Sequence, residues 1–183
     1  MGGARQAVVV PTLRSPVLVG RRAELATASG LIDAAHRGHG GVLLITGEAG
    51  VGKSRLVDEL RGRAGAAGMT VLVGRSVDGG GTYRAVTEAL ARLLRTRVAL
   101  DDPALRPYRA ALRTLLPGLA DEPLGSAPDT SAPDTTVMLG EGVLALLTGR
   151  PTLLVLEDLH WADPDTLDLV RYLAGALVDA PAR

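Results

Sequence analysis

Gly41–Leu56 reads GVLLITGEAGVGKSRL, and its parts differ sharply in character. Val42-Leu43-Leu44-Ile45 is a short unbroken apolar run, the pattern of a strand buried on both faces of a parallel sheet. Gly47-Glu48-Ala49-Gly50-Val51-Gly52-Lys53-Ser54 follows at once and matches G-x-x-x-x-G-K-[ST] at every fixed position. Arg55-Leu56-Val57-Asp58-Glu59-Leu60 then has helical apolar spacing. The order is strand, glycine-rich turn, helix.

A polyphosphate needs several N–H donors converging on it, so the backbone must wrap closely around it. Gly47, Gly50 and Gly52 permit that wrap and the dihedrals it requires. A helix starting near Lys53 turns its unpaired N–H groups and positive dipole end toward the same anion. Lys53 adds a compact point charge for the β- and γ-phosphates, and the Ser54 hydroxyl can ligate Mg²⁺. Lys53 is the only lysine in a chain whose other basic side chains are arginine. The position has kept an ammonium that a guanidinium does not replace. The expectation is a nucleotide site.

The 183 residues give length for one domain, and 46% hydrophobic residues give it a core. With no Phe, one Trp and three Tyr, that core must be aliphatic. The formal net charge is zero and the arginines are dispersed, so direct nucleic-acid binding by this segment is not expected. There is no cysteine, which excludes disulfides and thiolate metal sites. No apolar run approaches the roughly 20 residues of a membrane span, and the apolar patch before Pro11 is too short for a secretory signal. Neither membrane association nor export is expected, and a cytoplasmic location is.

Residues 1–16 read as a flexible Gly/Pro/Arg leader, and 17–183 as the domain. A helix is expected over Ala23–His36. His36 and His39 at its end read better as a solvated terminus than as metal ligands. The helix of the glycine-rich turn runs to about Ala67, and Met69–Val73 (MTVLV) is a second buried strand. Arg75 and Asp78 beyond it read as a plain surface loop. Tyr83–Arg95 and Pro103–Leu116 are expected helices, the second with Arg106, Arg109 and Arg113 on a solvated face. The tandem repeat SAPDT-SAPDT at Ser126–Thr135 reads as a loop, ending where Asp134 or Thr135 caps another helix.

Thr152–Leu156 (TLLVL) is a third buried strand, and it ends in Glu157-Asp158. Downstream of a phosphate-binding turn, two carboxylates at a strand end suit a Mg²⁺·ATP site. One would hold the metal's water shell, and the other would orient or deprotonate the attacking water. His160 and Trp161 follow, close to where a γ-phosphate would sit; Trp161 reads as a packing anchor, and nucleotide sensing by His160 is the less favoured of its readings. Asp163 as N-cap with Pro164 at N1 opens a helix with Leu167, Val170, Leu173 and Leu177 on one face.

Four stretches together resemble one family: Val19-Gly20-Arg21-Arg22-Ala23-Glu24-Leu25, GEAGVGKSRL, the Tyr83–Leu94 helix, and LLVLEDLHWADP. They are similar to the ATPase domain of the large ATP-binding LuxR-type transcriptional regulators, of the STAND branch of AAA-like P-loop ATPases. The resemblance implies a three-layer α/β fold of the ASCE type with a parallel sheet. It implies ATP or ADP as ligand, with Glu48, Ala49, Val51 and Arg55 joining Gly47, Gly50, Gly52, Lys53 and Ser54 around the phosphates. Val19, Gly20 and Arg21 would lie near the adenine. Ser54, Glu157 and Asp158 would serve the metal, and Glu157 and Asp158 would be the catalytic Walker B pair. The family usually has Asp where Glu157 stands, so slow hydrolysis is expected.

ASCE sheets run in the order 5-1-4-3-2, which places a fourth strand between the first and the third. That strand, the fifth strand and the helical lid are not recognisable before Arg183. The expectation is therefore a fold incomplete at its C-terminus, the first part of a longer protein or of a truncated reading frame. Its partners would be its own C-terminal domains, among them a helix-turn-helix, or further copies of itself. The same module resembles regulatory parts of adenylate cyclases and protein kinases, and a non-hydrolysing nucleotide-binding scaffold is also open.

Overall fold

The computed structural model describes residues 20–94, 102–115, 135–147 and 149–179. In chain order the elements are α1 (Arg22–His36), α2 (Lys53–Ala66), β1 (Thr70–Arg75) and α3 (Arg84–Leu94). A 3₁₀ turn at Pro103–Tyr108 leads into α4 (Arg109–Leu115), followed by α5 (Thr135–Leu147), β2 (Thr152–Glu157) and α6 (Pro164–Asp179). This is an α/β fold around a parallel two-stranded sheet.

The sheet sets the geometry of the site. β1 and β2 lie in register, with Thr70 opposite Thr152 and Arg75 opposite Glu157. Bonds from Thr70 N to the Pro151 carbonyl (2.9 Å) and from Ser76 N to the Glu157 carbonyl (3.0 Å) bracket the ladder. In a parallel pair, alternate residues turn both polar backbone groups to the same neighbour. Val71, Val73 and Arg75 therefore turn theirs to the other edge. α3 crosses close over β1 at Gly74, where a Cβ would overlap the Ala85 carbonyl. The close approach requires glycine.

Two apolar cores result, both aliphatic as the composition demands. The larger joins Leu72 of β1 to Val86 and Leu90 of α3, Leu112 of α4, Leu139 of α5 and Leu169 of α6. The smaller packs Ala28 of α1 against Leu56 and Leu60 of α2, with Leu25 and Ile45 on its margin.

The first expected strand departs from this plan. Val42–Ile45 precedes α2 without forming a strand, and Val42 and Leu44 are 45% and 76% exposed. A strand is completed by hydrogen bonds to a neighbour, and among the described residues nothing pairs with this segment. Of the run, Ile45 alone packs against the small core. In the ASCE order that the resemblance implies, β2 corresponds to the third strand, which the first does not touch.

Smaller differences have local causes. The expected Pro103–Leu116 helix opens as a 3₁₀ turn because Pro107 lies inside it. Asp102 caps that turn by accepting the Ala104 N–H at 2.8 Å. Arg109 and Arg113 are half-buried, whereas Arg106 is exposed as expected. The buried face of α6 carries Thr166, Leu169 and Leu173, a face rotated from the expected one, and only Leu173 is common to both. The leader (1–16) and residues 126–134 of the repeat lie outside the described residues.

Candidate functional site

Gly50 and Gly52 have φ of +82° and +90°, a region that side chains with a Cβ avoid. Gly52 is the N-cap of α2, so the chain passes from this left-handed residue directly into the first helical turn. The start of α2, where first-turn amides have no acceptor within the helix, therefore adjoins the turn. The Lys53 ammonium folds back over it, donating to the carbonyls of Gly47 (2.7 Å) and Glu48 (2.8 Å). Glu48, Ala49, Gly50, Val51 and Ser54 are exposed around this charge, and Arg55 is half-buried behind it. The arrangement can present N–H groups, one ammonium and one hydroxyl to an anion.

Arg21 reaches the same turn from α1. Its Nη2 donates to the Val51 carbonyl at 3.0 Å, and its Nη1 donates to Glu24 Oε1 at 2.8 Å. Glu24's own backbone amide, and then the Arg21 guanidinium, hold the Glu24 carboxyl below its ordinary range. Two residues of the G-R-x-x-E-L stretch thus clamp the crest of the turn. Gly20, at φ +80°, precedes them on the surface, and Val19 lies outside the described residues.

A second group gathers where β1 and β2 end. Glu157 closes β2 with its side chain 16% exposed, and Asp158 follows in the left-handed region at φ +56°. Arg75, at the end of β1, donates to Glu157 Oε2 through Nη2 (2.6 Å) and Nε (3.1 Å). Its Nε also lies 3.6 Å from Asp158 Oδ2. The bonds to Glu157 raise the Arg75 guanidinium above its ordinary value. Arg75 is therefore no surface-loop residue. The signal that finds it is register, since the residues that end two equal, paired strands stand opposite each other.

Beyond Asp158 a 3₁₀ turn carries His160 and Trp161, their rings 5.0 Å apart and tilted by 46°. Trp161 is 49% exposed, so the expected packing anchor is half in solvent. Asp163 caps α6 as expected, accepting Thr166 N at 3.0 Å and the Thr166 hydroxyl. It also accepts Tyr83 N at 3.3 Å, fastening the start of α3 to the start of α6.

The turn and the β2 carboxylates thus stand on different cores, each anchored by its own arginine. Ser54, Glu157 and Asp158 supply hard oxygen donors of the type Mg²⁺ prefers. Among the described residues no three His, Asp or Glu side chains converge as a metal cage.

The profile of the AAA ATPase domain family matches residues 17–181. The chain belongs to this family. As an AAA ATPase domain it is a nucleotide-binding module of the P-loop class. It is 28% identical over 183 residues to a protein of Rhizobium meliloti (strain 1021) that is itself uncharacterized. That match covers 90% of this chain and 18% of the relative, so the chain spans under a fifth of the relative's length. No solved structure matches this AAA ATPase domain significantly. Among its described residues no helix is long and apolar enough to cross a membrane.

Proposed function

We propose that residues 17–183, preceded by a leader at 1–16, form an ATP-binding and slowly hydrolysing switch domain of a LuxR-type transcriptional regulator. The observation that carries the ATP site is Lys53, whose ammonium is held on the Gly47 and Glu48 carbonyls at the N-terminus of α2. In this reading Gly47–Arg55 surround the phosphates, and Ser54 with Glu157 and Asp158 serves the Mg²⁺ that arrives with ATP. Gly20 and Arg21, next to the turn, flank the nucleotide, and Asp158 orients the attacking water. ATP and ADP would then favour different packings of this domain against its own chain or another copy. Support for the regulator context is the resemblance of the GEAGVGKSRL and LLVLEDLHWADP stretches. The domains adjoining this one in the native coding frame test that context directly.

Isothermal titration with ATP and Mg²⁺ tests the site. Lys53→Ala should weaken binding by about a hundredfold, the loss of charge-assisted contacts worth roughly 3 kcal/mol. Equal affinities in the two proteins would refute the assignment. Asp158→Asn should retain bound ATP and lose turnover, whereas unchanged phosphate release would remove Asp158 from the chemistry.

A further inference from the structure

The Arg75 ion pair has no part in that reading, yet it is built into the fold. Arg75 and Glu157 are register partners at the ends of paired strands. The Arg75 amide is fixed separately, donating to Glu88 Oε2 of α3 at 3.1 Å. α3 in turn is pressed onto β1 at Gly74. The backbone on both sides of the pair is thus held in place. The side chains differ in freedom, since the Arg75 side chain is 56% exposed and that of Glu157 only 16%. The guanidinium can swing into solvent while the carboxylate stays.

We propose that Arg75 is the resident counter-ion of the Glu157–Asp158 pair, and that a divalent cation must displace its guanidinium to engage these carboxylates. Both Arg75 donors converge on Glu157 Oε2, and two cations cannot share that oxygen without strong mutual repulsion. Arg75 cancels negative charge at the strand ends while no metal is there, which eases the approach of an anionic ligand. A metal arriving on Glu157 frees the guanidinium and leaves its backbone in place. Arg75 is a positioning residue in this scheme, because it acts through Glu157. The biological meaning rests on the Mg²⁺·ATP reading, but the exchange of cations can be measured without nucleotide.

The test is Mn²⁺ alone, titrated into the nucleotide-free full chain, with free Mn²⁺ followed by electron paramagnetic resonance into the millimolar range. Arg75→Ala should bind Mn²⁺ about two- to fivefold more tightly, as expected for removing a partly exposed competing charge. Arg75→Gln, which keeps the stem and one donor, should show the same tightening should the alanine variant fail to fold. Arg75→Lys should restore most of the wild-type value. In a Glu157→Gln background, Arg75→Ala should change nothing, which a general loosening of the fold would not reproduce. Coincident isotherms for wild type and the neutral variants, including isotherms with no bound Mn²⁺, overturn the proposal. ATP titrated with Mg²⁺ into the same proteins separates the two ideas. Its failure to bind wild type would sink the nucleotide reading and leave the Mn²⁺ result standing.

Discussion

Asp163 joins two backbone segments through one carboxylate. It caps α6 through Thr166 and holds the amide of Tyr83, a residue at φ +59° that the two contacts from α6 keep in that left-handed turn. Partial burial pushes the Asp163 carboxyl up, but the bonds from the Thr166 hydroxyl, the Thr166 amide and Tyr83 outweigh it, so the carboxyl lies below its ordinary 3.8. A depressed carboxyl contributes stability that is fully present above its unfolded value and is lost as pH falls toward the folded one. Asp163→Ala should therefore cost about 1–2 kcal/mol at neutral pH, the usual worth of such a cap. The gap to wild type should be the same at pH 7 and near pH 6, then shrink below about pH 4 as the native carboxylate protonates. Urea unfolding curves at each pH decide this, and a gap that widens on acidification would contradict the carboxylate's role.

The helices meet the sheet and each other through glycines whose neighbours leave no room for a methyl group. Gly74 lies against the Ala85 carbonyl, a backbone atom that cannot rotate away. Gly74→Ala should destabilise the domain by about 1–3 kcal/mol, the usual cost of overpacking, or more if α3 lifts off β1. Gly140 of α5 faces the Tyr172 ring of α6, whose hydroxyl donates to Glu141 Oε1 at 2.6 Å and is pushed up to about 12. Gly175 is the control, because a Cβ there meets nothing. Gly175→Ala should stabilise α6 by about 0.5–1 kcal/mol through helix propensity alone. Melting temperatures moving in opposite directions would support this account, and a Gly74→Ala protein as stable as wild type would refute it. These contacts also mark what the sequence does not disclose. The turn at Gly47–Ser54 is legible because its spacing is local, and the β1 and β2 runs and the Asp163-Pro164 helix start are legible for the same reason. The Arg75–Glu157 bond closes across 82 positions and depends on register, so neither residue announces the other.

At the scale of the whole molecule, equal apolar runs have unequal fates. Val42–Ile45 is as apolar as the residues of β1 and β2, but composition specifies only that a segment can be a strand. Whether it becomes one depends on a neighbour far away in sequence, and among the described residues β2 pairs with β1 while nothing pairs with Val42–Ile45. The glycine-rich turn consequently hangs on the small core of α1 and α2, with Arg21 as its brace, while the carboxylates stand on the large core. Backbone protection should follow this division. In hydrogen–deuterium exchange the Leu72 and Gly74 amides, directed at β2, should be the slowest in the sheet, and the Val42, Leu43 and Leu44 amides should exchange near the rate of an open chain. The α2 amides beyond its first turn should lie between, because a small core supports them. Protection of Val42–Leu44 equal to that of β1 would show that the segment is paired in solution and that the turn is braced by a sheet, in which case Arg21→Ala should leave the exchange of Gly50 and Val51 unchanged. With the segment unpaired, the same substitution removes the Arg21 bond to the Val51 carbonyl and should speed exchange there about tenfold, the effect of one hydrogen bond of roughly 1.4 kcal/mol.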